Sequence, residues 1–268
     1  MKTTFPQLLL KHAAERPTDP AVREKEYGIW QTWTWKDAAQ TVQQLACGLL
    51  ALGFRRGQNL ALIGDNRPHL YMSMVAVQSV GGVPIPLYQD AVATEMTFVI
   101  EDAEVQFFFA ENQEQVDKLL EVRESVPSVT HIIYDDPRGL RNYEQPGLIS
   151  TEKLMALGAE WDRAHPGAWK AEVERNRPED VSVILYTSGT TGKPKGVCQT
   201  HSAFIASAQG GVEVDRLVPT DNIISYLPPA WVGDHLFSVA PCLVAGLTLN
   251  CPQPPGTASI HPRAPGPT

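Results

Sequence analysis

Hydroxyl, glycine and lysine side chains are concentrated between residues 187 and 196, directly after the apolar run 181–186. Glycine lets the backbone approach a ligand closely with its amides pointing at one anion. Hydroxyls donate hydrogen bonds, and lysines supply positive charge that a polyphosphate would neutralise. The pattern predicts a strand that leads into a cationic, phosphate-binding loop. The candidate ligands are Thr187, Ser188, Gly189, Thr190, Thr191, Gly192, Lys193, Lys195 and Gly196.

The same residue types also make up ordinary surface turns, so composition alone leaves a solvated loop as an equal alternative. A Walker A loop is excluded, because G-x-x-x-x-G-K-[ST] needs Ser or Thr after the lysine. Here Pro194 follows Lys193, and no glycine lies five residues before Gly192.

The order of residues from Tyr186 to Val197 resembles the phosphate-loop signature of the adenylate-forming superfamily, which includes acyl-CoA synthetases and peptide-synthetase adenylation domains. The resemblance implies that ATP, Mg²⁺ and CoA are used, with ATP bound by the loop residues. It implies catalytic roles for Lys195 and Thr187, with Lys195 offsetting charge that develops on the phosphates. Thr187 or Thr191 would contact Mg²⁺.

A second informative segment runs from Leu227 to Ser238 and contains Leu-Pro-Pro-Ala-Trp. It resembles the next core block of the family, and its residue sequence is similar to that of bacterial long-chain fatty-acid–CoA ligases. The resemblance implies that Trp231, Gly233 and His235 belong to the acyl-substrate pocket. Core packing at a strand-to-helix corner is the alternative for Trp231 and His235.

Short apolar strands alternate with helical segments along the chain. This alternation predicts an α/β fold with sheets flanked by helices, and the resemblance identifies it as the incomplete N-terminal part of the adenylate-forming large domain. The predicted strands are 30–35, 59–63, 83–87, 105–110, 130–134, 181–186 and 222–227. The predicted helices are 5–15, 38–52, 68–80, 94–103, 112–125 and 201–211, with 150–178 largely helical.

We expect residues 1–252 to form one partial AMP-binding large domain, with a sub-boundary near 136–180. Residues 253–268 are expected to be an irregular proline-rich tail, because closely spaced prolines cannot continue a helix or a central strand. No counterpart of the family's later motifs follows, which predicts a truncated ligase with an exposed strand edge at 247–250.

With 268 residues, 43% of them hydrophobic, the chain can bury a substantial core. A formal net charge of -8 argues against nucleic acid as a partner. Four widely spaced cysteines and the lack of a signal peptide or long apolar run indicate a cytoplasmic protein without a transmembrane segment. Fatty acyl substrates partition into bilayers, so peripheral contact with the inner face of the membrane stays open.

The sequence is compatible with three functions. The first is ATP-dependent activation of a long-chain fatty acid through an acyl-adenylate to an acyl-CoA thioester. The second is adenylation of another carboxylic acid, and the third is a catalytically inactive nucleotide-binding fragment. The small-molecule partners implied by the first are a fatty acid, ATP and CoA.

Overall fold

The computed structural model describes residues 2–187 and 194–252. Its α-helices are α1 Phe5–Glu15, α2 Trp35–Ala51, α3 Pro68–Ser79, α4 Ala93–Asp102, α5 Gln113–Glu121, α6 Thr151–Ala164, α7 Ala168–Arg175, α8 His201–Asp215, α9 Val232–Asp234 and α10 Ala240–Ala245, with a π-helical turn at His235–Val239. Its strands are β1 Pro20–Glu26, β2 Ile29–Thr34, β3 Asn59–Ile63, β4 Val83–Leu87, β5 Val105–Ala110, β6 His131–Tyr134, β7 Leu148–Ser150, β8 Val181–Thr187, β9 Lys195–Thr200, β10 Asn222–Ile224 and β11 Thr248–Cys251.

A five-stranded parallel sheet, in the order β4-β3-β5-β6-β7, forms the centre of the fold. Its strands are almost entirely apolar because both faces are covered by helices. Leu60 and Leu62 point into one core with α2 and α3, whereas Ala61 and Ile63 point into a second core with α4 and α5. The predicted α/β fold with sheets flanked by helices is confirmed.

A second sheet, in the order β10-β11-β1-β2, joins segments from the two ends of the chain. Val22 in β1 pairs with Leu249 in β11, and Ile223 in β10 pairs with Leu249 from the other side. β11 is therefore an interior strand with all four residues buried. The expectation of an exposed strand edge at 247–250 is wrong, because long-range pairing covers both of its edges.

The tryptophan-rich segment also differs from its prediction. β2 is an edge strand whose first four residues are exposed, including Trp30. Trp35 is buried as the first residue of α2 instead of ending the strand. A capping box between Thr34 and Asp37 starts the helix there, since each side chain accepts a hydrogen bond from the other's backbone amide.

Three strands escaped the sequence prediction: β1, the very short β7, and β9, which begins with residues read as the end of the phosphate loop. Residues 150–178 are two helices, α6 and α7, as expected. α6 crosses α2 at very close range, where Gly158 meets the Gln44 carbonyl and the Gly48 amide. The sub-boundary near 136–180 stays a prediction.

Within the described part of the chain, none of the helices combines the length and the apolar character needed to cross a membrane.

Candidate active site

The antiparallel hairpin of β8 and β9 carries three of the predicted phosphate ligands, Thr187, Lys195 and Gly196. Thr187, the last residue of β8, lies opposite Lys195, the first residue of β9, and both are exposed. The hairpin therefore brings the two predicted catalytic residues together. Lys195 and Gly196 belong to a strand, so the loop is shorter than the sequence suggested. Six of the predicted ligands lie outside the described residues: Ser188, Gly189, Thr190, Thr191, Gly192 and Lys193.

Gly196 has a packing reason to be glycine. It lies opposite Tyr186, and a Cβ there would stand 2.9 Å from Cγ2 of Ile184 and 3.1 Å from the Tyr186 ring. The Tyr186 hydroxyl donates a 2.6 Å hydrogen bond to Oδ2 of Asp102. Burial, with this carboxylate as the next contribution, raises the pKa of Tyr186, so the phenol stays protonated at neutral pH. The phosphate-ligand role of Gly196 stays a prediction.

A cleft of about 950 Å³ opens beside the hairpin. Thr187 and Pro194 line one side, and Trp231 lines another. The remaining wall comes from the carboxyl end of β4 and from α4, with mainly apolar side chains. These wall residues include Leu87, Tyr88, Met96, Phe98 and Val99. An apolar pocket with few polar groups at its mouth is the usual form of a small-molecule site.

A smaller, polar cleft of about 450 Å³ shares Tyr88 with the first. It is lined by Gly64, Asp65 and Asn66 after β3, and by Tyr226 after β10. Both clefts thus lie at the carboxyl ends of parallel strands, which is where ligands bind in open α/β sheets.

The predicted substrate-pocket residues separate into two groups. Trp231 is 46% exposed and faces the large cleft. Gly233 supports it, because a Cβ at 233 would lie 2.6 Å from the Trp231 ring. His235 is buried, its Nε2 lies 2.9 Å from the Pro229 carbonyl oxygen, and its ring stacks on Phe204.

His235 is therefore a core residue that does not line the cleft, and its expected place in the pocket is corrected. Burial lowers its pKa to about 4. His201 is also buried, with its pKa lowered to about 4, and its Nδ1 accepts the amide hydrogen of Phe5 at 3.3 Å. Both imidazoles are neutral at pH 7 and contribute to packing.

A buried polar network lies next to the polar cleft and was missed by sequence reasoning. Its members are Asn66, Tyr71, Ser225 and Asp234, which come from four separate elements or loops. Arg67 occupies the N-cap position of α3 without a side-chain bond, and the side chain of Asn66 bonds to distant residues. Three polar residues after a buried strand were the available signal.

Arg67 forms a second connection between distant segments, at the same edge of the five-stranded sheet. Its guanidinium lies 2.8 Å from Oε1 of Glu24 and 3.1 Å from Oε1 of Glu111. Glu24 belongs to the four-stranded sheet, and Glu111 follows β5 of the five-stranded sheet, so Arg67 links the two. Burial raises the pKa of both carboxyl groups above the ordinary value, while Arg67 opposes that rise.

Within residues 2–187 and 194–252, no group of three or more His, Cys, Asp or Glu side chains is placed to hold a metal ion. The Mg²⁺ ion that accompanies a nucleotide takes most of its ligands from phosphates and water. A single protein hydroxyl, such as the exposed Thr187 side chain at the mouth of the cleft, is compatible with such an ion.

The fold is shared with adenylate-forming enzymes. The sequence model of the AMP-binding enzyme family matches residues 9–264, and the chain belongs to this family.

Curated relatives are long-chain fatty-acid–CoA ligases. The chain is 26% identical over 235 residues to the one from Mycobacterium bovis, covering 87% of this chain and 37% of the relative. It is 32% identical over 214 residues to the peroxisomal long chain acyl-CoA synthetase 7 of Arabidopsis thaliana, covering 76% of this chain and 29% of that protein. The chain therefore spans about a third of the length of these relatives.

Solved structures share the fold at lower identity. The anthranilate CoA ligase AuaEII, in complex with anthranoyl-AMP, matches with a TM-score of 0.80 and 19% identity, covering 97% of this chain and 46% of that one. Acetoacetyl-CoA synthetase from Streptomyces lividans matches with a TM-score of 0.77 and 24% identity, covering 94% and 39%.

Proposed function

We propose that this chain is the nucleotide-binding part of an acid–CoA ligase that activates a long-chain fatty acid with ATP. The reaction joins the acid to AMP as an acyl-adenylate with release of pyrophosphate, and the thiol of CoA then displaces AMP to form the thioester. The observation that carries the proposal is the pairing of Thr187, which lines an apolar cleft, with Lys195 on the neighbouring strand, in a chain of the AMP-binding family.

Adenylyl transfer needs charge on the departing phosphates to be neutralised and the reacting atoms to be held in line. Lys195 and Thr187 are exposed at the end of the hairpin where residues 188–194 connect its strands, and we infer that a triphosphate reaches both. The ammonium of Lys195 offsets the negative charge that develops on pyrophosphate. The Thr187 hydroxyl binds phosphate or the accompanying Mg²⁺. The intervening residues provide the other phosphate contacts, and Thr191 is the second candidate for Mg²⁺. These residues are Ser188, Gly189, Thr190, Thr191, Gly192 and Lys193.

The large cleft suits the acid. Its apolar wall from β4 and α4 matches an acyl chain, and Trp231 closes the side next to the hairpin. The carboxylate end of the acid would then face Thr187, close to the α-phosphorus that it attacks. Gly233 contributes by leaving room for the Trp231 ring, while His235 supports the turn from the core.

A different acid is the second candidate. Structures of related fold include VinN in complex with L-aspartate and the anthranilate CoA ligase. Neither L-aspartate nor anthranilate carries a long alkyl chain, which supports an acid of another class. The third candidate is a nucleotide-binding fragment without turnover.

Acid-dependent ATP–pyrophosphate exchange with the purified chain tests these candidates. Exchange with palmitate but not with anthranilate or aspartate supports the fatty-acid ligase, and the reverse supports the second candidate. Without exchange, equilibrium dialysis with ATP and Mg²⁺ separates a nucleotide-binding fragment from a chain that does not bind ATP. A chain that does not bind ATP would contradict the proposal.

A matched pair of lysine substitutions tests the hairpin itself. We expect Lys195→Ala to lower exchange, or ATP affinity in an inactive chain, by ~10²-fold, the scale of losing one charge-stabilising group. Lys170→Ala removes an exposed lysine from α7 and is expected to change neither. Equal behaviour of the two variants would refute the role of Lys195.

A further inference from the structure

Asp234 is a completely buried carboxylate next to the proposed acid-binding cleft. Its Oδ2 accepts a hydrogen bond from the Tyr71 hydroxyl at 3.0 Å, and its Oδ1 accepts one from the Ser225 hydroxyl at 3.2 Å. Tyr71 and Ser225 are themselves in contact, and the Asn66 amide donates to the Ser225 oxygen at 2.6 Å. The four side chains form one connected network.

This network fixes both ends of the segment that carries Trp231. At its start, Ser225 is bonded to the side chains of Asn66 and Tyr71. The side-chain amide of Asn66 also donates to the Leu227 carbonyl at 2.8 Å. At its end, the amide of Asp234 donates to the Trp231 carbonyl at 3.0 Å. The Trp231 amide in turn donates to the Pro228 carbonyl at 2.9 Å. Residues 225–234 are thus tied to α3 and to the loop after β3.

The structure following Asp234 is also unusual. The helix continues as a π-helical turn from His235 to Val239 before α10. Such turns are rare and are frequently found at functional sites. Asp234 and His235, where this turn begins, are both buried, whereas Trp231, three residues before Asp234, is exposed.

We propose that Asp234 is a positioning residue that sets the orientation of Trp231 at the cleft wall through its hydrogen bonds with Tyr71 and Ser225. This inference rests on the proposed function only where it calls the cleft the acid-binding site. The hydrogen-bond network does not depend on what the cleft binds.

The ionisation state of Asp234 decides how the network is bonded. The carboxylate accepts from both hydroxyls, whereas a protonated carboxyl group must donate through one of its oxygens. Protonation would therefore force the Ser225 or Tyr71 hydroxyl to turn. Burial raises the pKa of Asp234 to about 6, against the hydrogen bonds from Tyr71, Ser238 and Ser225, which lower it. The rearrangement falls in an accessible pH range.

The other titratable groups around Asp234 keep their charge state there. Burial raises the pKa of Tyr71 on α3, of Cys242 on α10 and of Cys251 on β11, so all three stay neutral up to pH 8. His235, the next residue, has its pKa lowered to about 4. Farther away, the Arg67 cluster contains Glu24 and Glu111, whose pKa values are raised. A variant at Asp234 separates its titration from theirs.

Fluorine NMR of the 268-residue chain labelled with 5-fluorotryptophan tests the proposal. The six tryptophans give separate probes, and Trp231→Phe assigns the resonance of Trp231. We expect this resonance to shift with pH with a midpoint near 6 in the wild type and to stay flat in Asp234→Asn. Ser225→Ala removes a bond that favours the carboxylate, so it should move the midpoint to higher pH.

A Trp231 resonance that does not titrate in the wild type would overturn the proposal. The same midpoint in Asp234→Asn, or an unchanged midpoint in Ser225→Ala, would overturn it too. If Asp234→Asn fails to fold, the Ser225→Ala shift decides the outcome. The measurement needs neither ATP nor an acid, so its result stands apart from that of the exchange assay.

Discussion

Replacing Asp234 with asparagine should stabilise the folded chain at neutral pH. Asp234 is 0% exposed, and burial raises its pKa from the ordinary 3.8 to about 6. A tenfold change in proton affinity corresponds to ~1.36 kcal/mol. The ionised carboxylate therefore costs about 3 kcal/mol of folding free energy at pH 7 and above.

The sign follows from proton binding. Between pH 4 and pH 6 the folded chain holds a proton on Asp234 that the unfolded chain has released. The contribution of this group to stability is thus fully present below the unfolded pKa and is lost as the pH rises through about 6. Asparagine is neutral throughout, and its amide can still bond to Tyr71 and Ser225.

Urea unfolding followed by circular dichroism at pH 4.5, 6.0 and 7.5 measures this effect. We expect Asp234→Asn to raise the free energy of unfolding by about 3 kcal/mol at pH 7.5, which moves the urea midpoint by roughly 1 M or more. The difference from wild type should shrink toward zero at pH 4.5. Other titrating groups affect both proteins equally and cancel in the comparison.

Asp37→Asn is the matched control because its expected sign is opposite. Hydrogen bonds from Thr34 lower the pKa of Asp37, so this carboxylate contributes stability above pH 4 that is lost on acidification. An Asp234→Asn variant no more stable than wild type at pH 7.5, or equally stabilised at every pH, would refute the reasoning.

Two further predictions concern packing and thiol exposure. Gly158→Ala should destabilise the chain by about 1–3 kcal/mol or more, because a Cβ would overlap the Gln44 carbonyl oxygen of α2. Gly210→Ala, in an exposed helical position with nothing within 4 Å, should stabilise it by about 1 kcal/mol; equal urea midpoints for the two variants would contradict both. Of the four cysteines only Cys198 is exposed, so a disulfide reagent should titrate one thiol rapidly in the native chain and four in denaturant. Two or more fast thiols would show that a buried cysteine is accessible.

The sequence by itself determined most elements of the central sheet and the family of the chain. Apolar strands such as 59–63 and 105–110 are recognisable because a strand buried on both faces needs apolar side chains throughout. The capping box at Thr34 and Asp37 is likewise local, since its two residues lie three positions apart. The order of residues from Tyr186 to Val197 was specific enough to identify the family.

Tertiary structure alone decided what distant segments do to each other. β1 pairs with β11 more than 200 residues away, and no local pattern records that partner. The same holds for Asp234, whose raised pKa depends on burial by several elements, and for Asn66, whose partners follow β10. His235 was assigned to the pocket by its place in a motif, yet its burial against Phe204 depends on how the turn packs. The spacing of apolar residues shows which side of a helix or strand is buried. The neighbouring residues that determine the protonation state and the position of a side chain come together only when the chain folds.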